Sequence, residues 1–222
     1  MIAPVIADEF LLMALAPSNE GWLVGADGVP IAPPHVAPGV SAALLAELAL
    51  AGAIDATGRT LSVIGPRAGA DDGLAETLAW IARQSRPRSP DWWVDRLAAT
   101  GPERGRLVEL HRRGWVHAYP GSRRGLTGTR PATYWFIRED DTRTPALVDR
   151  LRAGLRAGRA DDRTTALLAV MQACQVHRAY FKDWDERERE QRVQALTAGH
   201  WVGPALRRHL GAATTTAGLG GL

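Results

Sequence analysis

Residues 39–54 constrain the fold of this 222-residue chain more than any other segment. They are apolar on nearly every helical face, and Glu47 is the exception. A helix that is apolar all round must be covered by other helices. The sequence therefore predicts a mainly α fold: a compact helical domain around a buried central helix near residues 41–51, with small β-hairpins.

The length and composition of the chain predict a single domain that includes the central helix. With 45% hydrophobic residues, it can bury a sizeable core. We assign residues 1–212 to this domain and residues 213–222 to a flexible C-terminal tail, because the small side chains there bury too little surface to order themselves. Alternating runs predict hairpins across residues 53–64 and 115–138, and the tip of the longer one is basic.

The charge and the cysteine content of the chain limit which partners and which cellular compartment we expect. The formal net charge is only +3, from 27 basic and 24 acidic residues that are interleaved along the chain, so we expect no nucleic-acid partner. Lys182 is the single lysine, which with the abundant alanine and glycine is typical of GC-rich bacterial coding. Cys174 is the single cysteine, no apolar run reaches about 18 residues, and no signal peptide is evident. We expect a cytoplasmic protein, either soluble or peripheral at the membrane.

Five landmarks agree in order and spacing with a known family. They are Glu9-Phe-Leu-Leu, the central residues 44–54, Trp93-Val-Asp-Arg-Leu, Arg113-Gly-Trp-Val and Arg163-Thr-Thr-Ala-Leu-Leu-Ala. Over residues 6–210 the chain resembles the Golgi phosphoprotein 3 family. The resemblance implies a helical fold around the buried helix and a projecting hairpin used in self-association, hence a homo-oligomer through the 115–138 hairpin.

Eukaryotic members of that family bind phosphatidylinositol 4-phosphate through a tryptophan and three arginines. Counting from Glu47 and Gly114, these positions fall on about Ala32 and on Ser41, Thr100 and Glu103. A glutamate repels phosphate where an arginine would bind it. The sequence therefore predicts that the inherited ligand has changed.

Two residues are candidates for catalysis. His35 lies in a proline-braced loop before the central helix and titrates near neutrality, although an exposed loop histidine is the alternative. Glu103 is either an acid or the partner of Thr100 in a capping box. Glu47 is expected to be a buried carboxylate with an arginine or backbone partner; facing a cavity, it would instead be an acid.

A second group of residues is predicted to bind ligand. Trp22 and Trp93 would shape the site, unless they belong to the core. Ser41 lies near the start of the central helix, Arg104 or Arg106 would meet an anion, and His111 lies on the same basic helix. No spacing of His, Cys or acidic residues predicts a metal site, and no nucleotide motif occurs, so we expect neither metal nor cofactor.

The sequence predicts two alternative functions. The first is binding of a small organic molecule, with an anion as one option, or cofactor-independent acid/base chemistry on that molecule in biosynthesis. The reaction would be dehydration, cyclisation or conjugate addition, as in a lyase or cyclase. The second is a peripheral membrane adaptor that meets anionic lipid through Arg123, Arg124 and Arg130 at the hairpin tip.

Overall fold

The central helix, α2 (Val36–Leu50), is the element around which the others pack. The computed structural model describes residues 4–15, 22–25, 34–65, 71–121, 133–137 and 143–219, with the backbone alone for 22–25, 119–121, 133–137 and 212–219. The other described helices are α1 (Ile6–Leu15), α3 (Asp72–Ala82), α4 (Pro90–Ala98), α5 (Pro102–Arg112), α6 (Arg143–Ala157), α7 (Asp162–Ala173), α8 (Glu186–Thr197) and α9 (Val202–Leu219), with a 3-10 turn at Val176–Ala179.

The prediction of a buried central helix is confirmed. α2 packs against α1, α4, α7 and α9, and also against α3 and α5. It begins at Val36, earlier than predicted, because Pro38 falls in its first turn, where a missing N–H costs no helical hydrogen bond. Gly52, with a φ of +67°, follows its end, as the sequence predicted.

Close packing around α2 depends on one residue without a side chain. A Cβ added to Gly39 would overlap Phe10 Cζ of α1 and lie 3.0 Å from Cys174 Sγ, which follows α7. Cys174 is buried, as predicted for a packed thiol, and burial raises the pKa of that thiol. Glycine at this position lets α1 and α7 approach the same turn of α2.

Charged side chains hold the start of α1 in place. Glu47 of α2 accepts a 2.7 Å hydrogen bond from Ile6 N and a 2.8 Å bond from Arg163 Nη1 of α7. Arg163 also donates to Pro4 O, and Arg150 of α6 binds Glu9 at 2.8 Å. Glu47 therefore has both an arginine and a backbone partner, which confirms its structural assignment.

Two small sheets complete the described chain. β1 (Trp22–Gly25), β4 (His117–Gly121) and β5 (Thr133–Ile137) form an antiparallel sheet in the order β1-β5-β4. β2 (Ile54–Asp55) and β3 (Ser62–Val63) form the short hairpin that was predicted. The sequence analysis did not predict the pairing of β1 with β5. The hairpin tip with Arg123, Arg124 and Arg130 lies outside the described residues, as does any contact it makes.

Two predicted helix ends differ from the structure. The capping-box prediction is wrong: Thr100 Oγ1 donates to Leu97 O at 2.6 Å, and Gly101, with a φ of +66°, occupies the position before α5. The backbone of α9 continues as a helix to Leu219, through most of the segment expected to be a flexible tail. Within the described residues, no helix has both the length and the apolarity needed to cross a membrane.

Candidate functional site

A cavity of about 710 Å³ lies between α3 and α5. Leu44 of α2, Leu97 of α4 and Trp80 of α3 give it apolar surfaces, while charged side chains from α3 and α5 line the rest. Its volume is within the range of about 300–1,000 Å³ that is typical of small-molecule sites. The elements around α2 therefore leave room for an organic molecule beside the core.

The α5 wall of the cavity is a network of paired charges. Arg106 Nη2 lies 2.5 Å from Asp8 Oδ1 of α1, and its Nη1 lies 2.7 Å from Asp71 Oδ2. Further along α5, Glu109 accepts from Arg113 Nε at 2.6 Å and pairs with Arg112 Nη2 at 2.8 Å. The guanidinium of Arg106, which we predicted would bind an anion, is thus already shared by two carboxylates.

Burial and ion pairing shift the pKa values of the two carboxylates that bind Arg106 in opposite directions. Burial raises the pKa of Asp8, although Arg106 and the N–H of Val5 oppose the rise. For Asp71, burial also acts upward, but the bonds from Arg106 and from Leu74 N leave its pKa below the ordinary value. Asp71 caps α3 through the 3.0 Å bond from Leu74 N, so one side chain joins α3 to α5.

The α3 wall is organised differently. Asp72, Glu76 and Trp80 follow one another at intervals of four residues, which places them on one face of the helix, and all three line the cavity. Asp72 and Glu76 are exposed, and within the described structure neither has a hydrogen-bonding or ionic partner. Arg83, one turn after Trp80, donates its Nε to Ala79 O at 3.2 Å.

Glu103 lies behind the cavity. Its side chain is fully buried, and neither carboxylate oxygen has a hydrogen-bond partner among the described residues. Burial raises the pKa of Glu103, opposed by its own backbone N–H and by the charge of Arg104. A Cβ added to Gly101, which lines the cavity, would be 3.6 Å from Glu103 Oε1. The carboxyl group of Glu103 therefore lies next to the cavity wall, and its burial favours the protonated form.

His35 is separate from this arrangement. It is the residue before α2, is half-buried, and its backbone oxygen accepts a 3.4 Å bond from Cys174 Sγ. Burial lowers the pKa of His35, which favours the neutral imidazole. It does not line the α3–α5 cavity.

Of the predicted ligand-binding residues whose side chains are described, only Arg106 lines the cavity. Trp93 is 1% exposed and packs edge-on against Trp80 and Trp92, with ring centroids 5.9 and 5.0 Å away. Ser41 is buried and donates to Ala37 O at 2.8 Å within α2. These two side chains contribute to packing in the described structure.

The other predicted ligand-binding residues lie elsewhere. Arg104 is half-buried on α5, and His111 is exposed, with its Nδ1 3.1 Å from Val116 O. Trp22 belongs to β1, where the backbone alone is described. No group of three metal-ligating side chains occurs within the described ranges.

Comparison with protein-family models identifies the chain. The Golgi phosphoprotein 3 (GPP34) model matches residues 6–213. The chain belongs to the Golgi phosphoprotein 3 family. A search of curated proteins found no match.

Counting along the sequence placed Ser41, Thr100 and Glu103 at the positions of the headgroup arginines of eukaryotic Golgi phosphoprotein 3 proteins. The structure shows what each of these three side chains does here. Ser41 uses its hydroxyl within α2, Thr100 donates to Leu97 O, and Glu103 is buried. None of these side chains carries the positive charge that a phosphate would need. The described geometry therefore offers no support at these positions for binding a phosphorylated headgroup.

Sequence reasoning missed most of the cavity. The sequence analysis singled out none of the α3 residues that line it, namely Asp72, Glu76, Trp80 and Arg83, which follows the helix. The available signal was the spacing of four between Asp72, Glu76 and Trp80, which puts an aromatic residue in line with two acids on one face of α3.

Proposed function

We propose that this Golgi phosphoprotein 3 family member binds a small organic molecule in the α3–α5 cavity. The observation that carries the proposal is a space of about 710 Å³ that combines apolar surfaces from Leu44, Leu97 and Trp80 with converging charged groups. Small-molecule sites typically have this composition, with apolar walls for affinity and a few polar groups for orientation.

An anionic ligand, which the sequence predicted, has less support from the cavity. Arg106 is compensated by two carboxylates, and Arg112 and Arg113 share Glu109. An anion would have to compete with these pairs, whereas Arg83 has no ionic partner within the described residues. Recognition of the organic body is therefore the better-supported part of the proposal.

Acid/base chemistry on the bound molecule is the finer part of the proposal. Glu103 supports it, because its carboxyl group is fully buried beside cavity-lining Gly101, and burial raises its pKa and so favours the protonated form that can donate a proton. Dehydration, cyclisation or conjugate addition would each use such a proton donor. For a ligand found to be converted, Glu103→Gln should retain binding and abolish product formation, as followed by mass spectrometry.

Blocking the cavity tests the binding proposal. Gly105 of α5 lines the cavity, and a Cβ added there meets no heavy atom within 4 Å. Gly105→Phe should therefore fill the space without disturbing the core. Val108→Phe is the matched control, since Val108 is exposed on the same helix and does not line the cavity.

A fragment library screened by ligand-observed NMR provides the measurement. We expect compounds that bind the wild type and Val108→Phe but lose binding in Gly105→Phe. If no compound distinguishes the two variants, the cavity is not a binding site.

The peripheral adaptor remains the alternative proposal from the sequence. Its three arginines, Arg123, Arg124 and Arg130, lie outside the described residues, so the cavity favours the small-molecule function. Flotation with vesicles containing phosphatidylserine tests the adaptor. Salt-sensitive binding that is lost when all three arginines are neutralised would favour it.

A further inference from the structure

The charges of the α5 wall are balanced among themselves. Arg106, Arg112 and Arg113 provide three positive charges, and the carboxylates that contact them provide three negative ones, on Asp8, Asp71 and Glu109. A ligand therefore meets little net charge on this side. The other charged residues of the lining belong to α3: Asp72 and Glu76 near its start, and Arg83, which follows its end.

On α3, two carboxylates face the cavity without compensation. Asp72 and Glu76 are four residues apart, line the cavity and have no hydrogen-bonding or ionic partner within the described structure. Like charges at this spacing on a helix repel each other, so a cation between them relieves an existing repulsion. The N-terminal end of the α3 wall therefore favours positive charge.

Trp80 extends the same face by one further turn. The three positions from Asp72 to Trp80 cover about 12 Å along the helix, at about 1.5 Å per residue. Trp80 lines the cavity, and the face of an indole attracts organic cations. The guanidinium of Arg96, which is 5.9 Å from the ring centroid, is not part of the lining. An aromatic surface next to two carboxylates suits an alkylammonium group better than a bare metal ion, because a metal ion such as Ca²⁺ is coordinated by more oxygen ligands.

We propose that Asp72, Glu76 and Trp80 form a subsite for an organic ammonium group, so that the molecule bound in the α3–α5 cavity is an amine with an apolar body. The apolar body lies against Leu97 and Leu44, and the ammonium group lies between α3 carboxylates. This inference rests on the proposed small-molecule function and names its ligand class. It reverses the charge expected from the sequence, because the arginines of α5 are already paired.

Three probes with one apolar body and different charge test the subsite. They are 3-phenylpropylamine, 3-phenylpropan-1-ol and 3-phenylpropionate, with affinities measured by isothermal titration calorimetry or NMR titration. We expect the amine to bind about tenfold more tightly than the alcohol, and the carboxylate to bind most weakly. In the double variant Asp72→Asn, Glu76→Gln, the amine should lose this advantage while the affinity for the alcohol stays unchanged.

The controls separate a local effect from a change in net charge or folding. Glu186→Gln removes a similar exposed charge on α8 and should leave the amine preference intact. Both α3 substitutions are at exposed positions and Asp71 still caps the helix, so the thermal midpoint of unfolding should hardly change.

The outcomes also separate this inference from the function on which it rests. The ammonium subsite is overturned if the amine has no advantage over the alcohol, if the double variant keeps the advantage, or if none of the three probes binds. The cavity itself is judged by the fragment screen with Gly105→Phe. Suppose that the library compounds which bind the wild type but not Gly105→Phe all lack an amine. That outcome would support the proposed function and contradict the ammonium subsite.

Discussion

Glu47 and Glu103 are two glutamates in the helical core with opposite surroundings. Glu47 accepts hydrogen bonds from Ile6 N and from Arg163, whereas Glu103 is fully buried and has no partner for either oxygen among the described residues. A paired carboxylate stabilises the fold in its charged form, and an unpaired buried one is stable only when neutral. The difference teaches that burial alone does not assign a role to an acid; the donors around it do.

Removal of Arg106 should have the largest effect, because it would turn paired carboxylates into unpaired ones. Arg106→Leu leaves Asp8 and Asp71 without their main cation, and both are at least 95% buried. We expect the free energy of unfolding to fall by about 3–5 kcal/mol at neutral pH. Urea unfolding monitored by circular dichroism measures the change. Arg208→Leu, at an exposed ion pair with Asp91, should cost less than about 1 kcal/mol. Equal losses in the two variants would contradict this view of the Arg106 cluster.

Neutralising each glutamate of the comparison should give effects of opposite sign. Glu103→Gln removes a carboxylate that is costly to ionise, so we expect the free energy of unfolding to rise by roughly 1 kcal/mol at neutral pH. Glu47→Gln weakens the bonds from Arg163 and Ile6 N and should lower it by a similar amount.

The pH dependence of Glu103→Gln follows from the raised pKa of Glu103. A raised pKa means that the folded state holds the proton more tightly than the unfolded state does. The neutral acid is therefore most favourable below about pH 4, and its contribution is lost as the pH rises through the folded-state pKa. The gain from Glu103→Gln should be present at neutral pH and vanish at about pH 4, in paired urea titrations. A gain that is equal at both pH values would show that Glu103 titrates normally.

The smallest effect is expected at Thr100, where a capping box would have given a larger one. Thr100→Ala removes a bond to Leu97 O but no cap of α5, so the free energy of unfolding should fall by less than about 0.5 kcal/mol. Asp71→Ala is the contrasting variant, since Asp71 caps α3 and binds Arg106. A loss near 1 kcal/mol at Thr100, typical of an N-cap, would restore the predicted role.

Periodicity was enough to predict the architecture but not the site. The buried helix α2 and the short hairpin follow from local pattern, since each is set by neighbouring residues or by composition. The apolar surroundings of Glu47 predicted that it would be paired, but its partners Ile6 and Arg163 are 41 and 116 residues away. The partners of Arg106 lie 98 and 35 residues away in sequence, so no local pattern reveals that its charge is neutralised. The cavity is a gap between α3 and α5, and a gap depends on how helices are arranged and not on any one helix.

The capping box shows how a local motif can mislead. Thr100 and Glu103 have the required spacing, yet Gly101 adopts a left-handed conformation that starts α5 at Pro102 and turns the Thr100 hydroxyl back toward α4. Proline at the first helical position and glycine before it form a competing helix start. The same turn leaves Glu103 without the partner that the motif would have provided.

The ion pairs at the start of α1 have a consequence for biosynthesis of the chain. α1 leaves the ribosome before the other described helices, but Arg106, Arg150 and Arg163 follow Asp8, Glu9 and Pro4 by 98, 141 and 159 residues. Until α7 has emerged, Glu9 lacks the part of its countercharge that Arg163 provides, and Cys174 is not yet in place beside Gly39. Such distant contacts delay folding, so a nascent chain stalled before residue 163 should leave α1 accessible to chaperones and proteases. An early helix of the described chain therefore depends on residues that are synthesised much later.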